Sequence, residues 1–530
     1  MVDAISLEEA RRRKKPPPSD DARPLIRIVK GEIYREVDEA EAALAAADDG
    51  LYCYGNRLVH IEWDFIRVAG GGVANALRLF EATGHNIRER MERAARFEKW
   101  DARVRDFVTC ECPEDMAMTF LARGSWHLPP LLGVVTAPTL RPNGTVIDQP
   151  GYDVETGIVY HPHGIKFGLV PERPTKDQAF VALFGLQRLL RGFNFVTQAD
   201  ASVALSAILT AVVRRAMPVA PMHAFSSPVA GSGKSMLVNI ASVIATGWQA
   251  AVTSSGNEGG SNAELEKRLT ASLLMGDAVV SIDNIDRPLS GGFLCQFLTE
   301  HVLKLRVLGL SKNVATPNTA MFFSTGNNLV IADDATRRVL VSNINPNVER
   351  PELRSFAFKP VALALRARPY LVAKALVIIR AYIVSGERVR CPALGNFEEW
   401  SRFVRESLIW LGQADPAAVL EQVRARDPQL AKAQAVVEAW SEVIGTQEVP
   451  VRDVIKLANR LGPYEDGSFE HPELRDALRG VAEGRGKEDI SPDKLGWWLR
   501  RHLHTVITVE GVGYFFISGR AKQHWQLMRS

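Results

Sequence analysis

The chain has 530 residues, which at roughly 150 per domain predicts three or four domains. Hydrophobic residues make up 46% and charged residues 24%, the proportions of a globular protein with a full core. A formal net charge of +3 excludes a histone-like tail protein but not a local basic channel, and five cysteines exclude a disulfide scaffold.

Residues 1–24 read as a disordered basic leader. Arg11-Arg12-Arg13-Lys14-Lys15 precedes Pro16-Pro17-Pro18, and no apolar segment of a secretory signal follows. The functional alternative is a basic arm that touches nucleic acid. Residues 25–172 read as an α+β accessory domain. It begins with a strand at Leu25–Val29, a helix-forming run at Asp38–Ala47 and a hairpin over Leu51–Ile61 turning at Gly55-Asn56. A charged helical stretch over Arg88–Val108 and a Pro/Gly/Asn-rich stretch of short β-runs over Leu128–Tyr160 follow. Cys110 and Cys112 have no second pair at metal spacing and read as ordinary thiols of a reducing cytoplasm.

Residues 173–216 form a helical collar. Its longest apolar run, Ala201–Val213, is interrupted by hydroxyl residues and ends at Arg214-Arg215, short of the ~20 residues a bilayer needs. No membrane partner is expected, and the cytoplasm is the expected location. Residues 217–350 alternate apolar runs with helical patterns, as an α/β nucleotide-binding core does; 351–445 are helical, and 446–530 form a small α+β tail. No internal repeat appears.

The strongest chemical signal is Ser227-Pro228-Val229-Ala230-Gly231-Ser232-Gly233-Lys234-Ser235, between an apolar strand (Met222–Phe225) and a helix opening at Met236. Glycines at 231 and 233 let backbone N–H groups close around phosphate oxygens, at a helix N-terminus that favours anions. Pro228, Val229, Ala230, Gly231, Ser232, Gly233, Lys234, Ser235 and Met236 are the candidate ATP-binding residues. Lys234 is placed to neutralise the β- and γ-phosphates and Ser235 to hold Mg²⁺. Pro228 stands where such loops usually carry their first glycine.

Ala278–Asp283 reads as a buried strand beside the phosphate-loop strand, with Asp283 as the second magnesium ligand. Asn284 follows where many ATPases carry a glutamate, so Asp286 or Glu264 is left to act as general base. Ala320–Asn328 reads as a third strand whose Asn327, with Asn328 second, would sense γ-phosphate and the attacking water. Arg337 and Arg338 precede another strand and are candidates for stabilising phosphoryl-transfer charge across a subunit interface; the alternative is a surface pair held by Asp333 or Asp334. Leu305–Asn318 reads as two β-runs around a Ser-Lys-Asn turn, placing Lys312 at a hairpin tip to grip a nucleic-acid backbone.

In the tail, Ser491 reads as an N-cap and Pro492 as the first helical residue of a helix with a basic end. A hairpin over Thr505–Glu510 and Gly513–Ser518 follows. The pattern resembles a winged-helix module, in which Lys494, Arg500, Arg501, Arg520 and Lys522 would meet phosphates. Trp497 and Trp498 read as packing residues.

Gly231–Ser235, Ile282-Asp283-Asn284, Arg306–Gly309, Thr325–Leu329, Asp334 with Arg337-Arg338, and Glu349-Arg350-Pro351 follow one another in an order that resembles the helicase-like AAA+ ATPases of prophages, plasmids and integrative elements. These are relatives of superfamily 3 replicative helicases, often fused to a primase–polymerase. Leu132–Arg141, Pro150–Asp153 with Thr156-Gly157, and Leu394–Trp400 extend the resemblance over roughly residues 25–410. It implies a multidomain fold with a P-loop AAA+ core and a hexameric ring that translocates on single-stranded or forked DNA. Lys234, Ser235, Asp283 and Asn327 would act in cis on ATP and Mg²⁺, and Arg337 or Arg338 in trans. The N-terminus carries no convincing primase carboxylate motif, so priming by this chain is not expected; a primase is a candidate partner. The rival readings are a slowly hydrolysing initiator or DNA switch, which Asn284 favours, and a ring scaffold that recruits a primase through residues 25–172.

Overall fold

The computed structural model describes residues 21–67, 73–254, 262–306, 313–348, 350–351, 358–463, 468–484, 490–521 and 523–530. The basic run of the leader, Lys312 and Lys522 lie outside them.

The chain is a mixed α/β protein of several units built around a five-stranded parallel sheet. Its strands are β1 (Met222–Ser227), β2 (Ala251–Ser254), β3 (Val279–Ile285), β4 (Met321–Asn327) and β5 (Val339–Asn343), in the order β2-β3-β4-β1-β5. Every adjacent pair is parallel. Their sequences are near-continuous apolar or small runs because helices cover both faces. Alternate residues divide between two cores: Phe225, Phe323 and Leu340 pack on one face, Ala224, Phe322 and Val341 on the other.

One expectation is corrected here. β3, with Asp283, does not lie beside β1; β4 separates them. The first six residues of β4 are buried, so its chemistry suits a position inside the sheet, and Asp283 faces the loop after β1 from the next strand but one.

The helices over the first face include α1 (Lys176–Leu190), α2 (Gln198–Val213), α3 (Lys234–Thr246) and, further along the chain, α4 (Arg368–Ser385). Thr175 with Gln178 and Thr197 with Asp200 form capping boxes that start α1 and α2. Asp200 also accepts the Asn343 amide at 2.6 Å, which ties α2 to the carboxyl end of β5. Helix α3 ends at Gly247, whose φ of 89° closes it in the left-handed conformation. Trp400, fully buried, donates from Nε1 to Thr210 Oγ1 at 2.8 Å and joins the helical region after the sheet to α2.

Among the described residues the N-terminal unit carries four small sheets, two of them formed before residue 111. In one, Leu25–Ile28 pairs parallel with Arg96–Asp101, which pairs antiparallel with Asp106–Cys110. The stretch 88–108 is therefore not one helix: the helix Gly84–Ala94 stops there, and 96–110 is a hairpin. The strand Leu25–Ile28 supplies backbone partners to this alternating segment, in which Phe97 points inward. A second sheet joins Leu51–Tyr54, Arg57–Arg67 and Val73–Glu81, with the expected turn at Gly55-Asn56. That turn docks on the strand Asn313–Pro317: Asn56 Oδ1 accepts the Ala315 amide at 3.0 Å. Gly55 has φ of 61°, and a Cβ there would lie 1.8 Å from the Ala315 carbonyl oxygen.

The tail unit carries helices Val451–Ala458, Pro472–Ala482 and Pro492–Arg501 beside a four-stranded antiparallel sheet. Ser491 caps the third helix by accepting the Lys494 amide. The hairpin forms as Ile507–Val509 and Val512–Ser518, and His524–Arg529 adds a strand that the sequence reading lacked. Trp498 is buried, but Trp497 is 57% exposed and is not a core residue. The buried face of this helix consists of Leu495, Gly496, Trp498 and Leu499, and Trp497 falls on the other side. No helix among the described residues is long and apolar enough to cross a membrane.

Candidate functional site

The carboxyl ends of β1 and β4 are stitched together before any site chemistry begins. The Asn328 amide donates to the Ser227 carbonyl at 2.9 Å and the Leu329 amide to Ser226 Oγ at 3.0 Å. From this edge the chain turns through 228–233. Gly231 and Gly233 take φ of 69° and 98°, backbone that favours glycine. Gly233 is the residue before α3, and its carbonyl receives the amides of Met236 and Leu237.

Lys234, at the first position of α3, turns back over this loop. Its ammonium donates to the Val229 carbonyl at 3.0 Å, Ser232 Oγ at 3.2 Å and Asn327 Oδ1 at 2.7 Å. All three acceptors are neutral. Burial pushes its pKa down, and the Asp283 carboxylate pulls it part of the way back. Ser235 donates to Asp283 Oδ1 at 3.4 Å, and Thr325 Oγ1 donates to the same oxygen. Lys234, Ser235, Asp283 and Asn327 thus share one site. Thr325 belongs with them and was not singled out from the sequence; it lies two residues before Asn327, so the period of a strand puts both side chains on one face.

Asn284 sits at a register shift in β3, with φ of 56° and an exposed side chain, and its amide faces Thr325 Oγ1 at 3.4 Å. The two candidates for general base are both outside this cluster of hydrogen bonds. Asp286 is exposed, and Glu264 pairs with Lys267 and Arg268 along its own helix at 3.5 and 3.6 Å.

The two arginines differ. Both reach Asp334, Arg337 at 2.6 Å and Arg338 at 2.5 Å. Arg338 is buried and donates again to the Asp334 carbonyl at 2.6 Å, whereas the Arg337 side chain is 64% exposed. Burial pushes the Asp334 carboxyl upward, but hydrogen bonds from Arg337 and Arg338 leave it below the usual range.

A cleft of about 550 Å³ opens beside the loop, lined by Ser227, Pro228, Asn328, Asn343, Gln422 and Arg426 among others. Gln422 and Arg426 come from the helical region far along the chain, and no local motif announces them.

The stem of the expected hairpin forms, with Val302–Arg306 antiparallel to Asn313–Pro317. In the tail unit, Lys494 donates to the Glu483 carbonyl at 2.6 Å. Arg501 lies 3.7 Å from Asp333 and stacks over Trp497 at 5.6 Å. Arg500 is exposed with no ion pair among the described residues, and Arg520 is exposed with its amide on Glu448.

No family model and no curated protein matches the chain. Among solved structures it is similar to the A-form apo structure of the NrS-1 C-terminal region, at 13% identity and a TM-score of 0.33, covering 83% of this chain and 98% of that one. A second A-form apo structure of that region gives 13% identity and 0.35, covering 75% and 94%. JCV helicase gives 12% identity and 0.20, covering 48% and 68%. Likenesses this weak carry nothing for function, which is read from the geometry of residues 227–235 and their neighbours.

Proposed function

We propose that the chain is an ATP-dependent DNA helicase or translocase: a P-loop AAA+ ATPase of the superfamily 3 type that works as a ring, hexameric in the form expected, in replication of a mobile element. The observation that carries the reading is Lys234, a partly buried cation whose donors rest only on neutral oxygens at the mouth of a loop closed by two left-handed glycines. Those contacts are weak enough to be exchanged for phosphate oxygens, which charge-assisted hydrogen bonds favour.

The residues present fit a nucleoside triphosphate with its metal. Amides of 229–235 and Lys234 would hold the phosphates, and Ser235 with Asp283 would hold Mg²⁺, which when bound neutralises charge on the β- and γ-phosphates. Asn327 orients water through its amide. Thr325 keeps the Asp283 carboxylate turned toward Ser235. The cleft at Pro228, Asn328 and Gln422 has the size of a small-molecule site and would take the base and ribose. Arg337 is the better placed of the two arginines to act on a neighbouring subunit, because Arg338 is buried against its own chain. DNA would be gripped by Lys312, expected from the sequence at the turn beyond the described stem, and by Lys494, Arg500 and Arg501 of a winged-helix-like tail.

The test is release of a labelled strand from forked DNA by the full chain with ATP. Hydrolysis stimulated by single-stranded DNA and coupled to strand release supports the motor. Asn284 favours the second reading, an ATP-controlled DNA switch or initiator, since no carboxylate stands directly after Asp283; hydrolysis without strand release is its signature. A chain in which Lys234→Ala leaves strand release intact carries neither function at this site.

A further inference from the structure

A second cavity, of about 170 Å³, lies where the N-terminal unit meets the core, and it is lined by Tyr54, Arg78, Gly133, Arg215, Thr246 and Asp277 among others. It touches the far end of α3, ~18 Å along the helix from Lys234 at 1.5 Å per residue, so it is separate from the proposed nucleotide site. Three guanidiniums line it (Arg78, Arg214 and Arg215) against one carboxylate, Asp277.

The partners of these groups single out Arg215. Arg78 is 3.5 Å from Asp277, so that pair is internally balanced. Arg214 spends its donors on the carbonyls of Ala320, Met217 and Asn318 at 2.8–2.9 Å. Arg215 has no hydrogen-bond acceptor and no carboxylate among the described residues, and its Nε is buried without a partner. Burial pushes its guanidinium down to about 10, opposed only by the phenol of Tyr54. A half-buried cation with its Nε enclosed and no counter-charge is costly, and a planar guanidinium facing a cavity is shaped for bidentate contact with an oxyanion. The backbone makes room for that headgroup at Gly133: a Cβ there would lie 2.3 Å from Arg215 Nε.

We propose that this cavity is an oxyanion site that takes a phosphate group, with Arg215 as its anchor. Its volume is close to that of an engineered cavity of about 150 Å³ that accepts benzene, room for one phosphate but not for a whole nucleotide. The phosphate is either free or the terminal phosphate of a nucleotide chain. Trp248, which lines the cavity, meets Trp63 at 6.4 Å, and Trp63 packs on His163 at 4.3 Å, so an aromatic cluster borders the site.

The test titrates inorganic phosphate calorimetrically into the full chain and into Lys234→Ala, which removes the anchor of the nucleotide loop. Saturable binding is expected to survive Lys234→Ala and to weaken at least tenfold when Arg215→Gln is added. Gly133→Ala in the Lys234→Ala background is the second variant: it displaces the guanidinium without removing its charge and is expected to weaken binding comparably. Loss of all saturable binding in Lys234→Ala overturns the proposal, as does unchanged affinity in both Arg215→Gln and Gly133→Ala. Binding that depends on Arg215 and not on Lys234 upholds this site even if the nucleotide reading fails. Displacement of phosphate by a 5′-phosphorylated dinucleotide, but not by its unphosphorylated twin, assigns the phosphate to a nucleotide chain; no displacement by either assigns it to free phosphate.

Discussion

Lys234 and His223 are both basic groups drawn out of water within the same strand–loop–helix unit, yet the structure treats them oppositely. Lys234 keeps a ring of acceptors and lies near Asp283, so it stays a cation that can change partners. Lys234→Ala is expected to reduce ATP turnover by more than about a hundredfold, the scale of losing a preorganised donor, measured as phosphate release. Thr325→Val removes the hydroxyl that holds Asp283 and is expected to raise the Mg²⁺ concentration for half-maximal turnover severalfold, with the fold unchanged by circular dichroism. His223, fully buried in β1 against Ser206 Oγ at 2.9 Å, has its pKa pushed to about 3 by burial, against 6.5 for an ordinary imidazole. Below pH 6.5 the unfolded chain takes up a proton that the folded chain refuses. Stability therefore falls as pH drops from 6.5 toward 3, by up to about 1.4 kcal/mol per pH unit from this one residue. His223→Leu removes that term, and Ser206 keeps a bond to the Val203 carbonyl. The variant's melting temperature is expected to fall less than the wild type's between pH 7 and 5, and equal slopes would contradict this account.

Two neighbouring elements show how much a short segment commits to its surroundings. The Gly55-Asn56 turn is a local hairpin signal, but its seat on the strand Asn313–Pro317 is a contact between residues 259 positions apart. Gly55→Ala forces a Cβ into the Ala315 carbonyl at a φ that L-residues resist, so it should undock the turn at a cost of about 1–3 kcal/mol. Faster hydrogen exchange at the Ala315 amide, with exchange in the buried strand β1 unaltered, is the expected record. The same division between local and distant explains what could be read in advance. Glycine spacing around Lys234, the apolar runs of β1, β3 and β4, and the Ser491 cap are local, and each appears where expected. The order β2-β3-β4-β1-β5 is a matter of long-range pairing that no single run declares, edge strand β5 being nearly as buried as the strands inside, so Asp283 lies one strand further from Lys234 than its sequence suggests. The hairpin at 96–110 reads as helix in the sequence because its charges mask a strand that only the partner Leu25–Ile28 makes decisive. Gln422, Arg426 and Arg215 were invisible because nothing within a few residues of them marks a cavity. Arg337 and Arg338, adjacent in sequence, separate by burial and by the second bond of Arg338 to the Asp334 carbonyl: Arg338→Ala removes both bonds of a buried side chain, though Asp334 is half exposed and keeps Arg337, and should lower the melting temperature, whether or not subunits assemble.

At the scale of the whole molecule, the site as one chain presents it is short of charge. Lys234, Ser235, Asp283, Thr325 and Asn327 converge, but among the described contacts no arginine joins them, while Arg337 stands two-thirds exposed on a turn held by Asp334. Phosphoryl transfer concentrates negative charge that an arginine from outside the nucleotide-binding subunit can stabilise by roughly 10³–10⁵ in rate. In the proposed ring a heterologous interface would supply that arginine, each subunit offering its loop to one neighbour and Arg337 to the other. Arg337→Ala should then bind an ATP analogue as the wild type does and lose hydrolysis. Mixed in equal amounts with Lys234→Ala, it should regain activity at those interfaces where an intact loop meets an intact arginine, about a quarter of them under random assembly. Neither variant alone can form such an interface, so recovery requires that the two residues lie in different subunits. Steady-state hydrolysis measured across the mixing ratio should rise from near zero, peak near equal amounts and fall again. A flat line at zero, with mixed rings demonstrated by mass, would place Arg337 outside the shared site and leave its pairing with Asp334 as a surface contact within one chain.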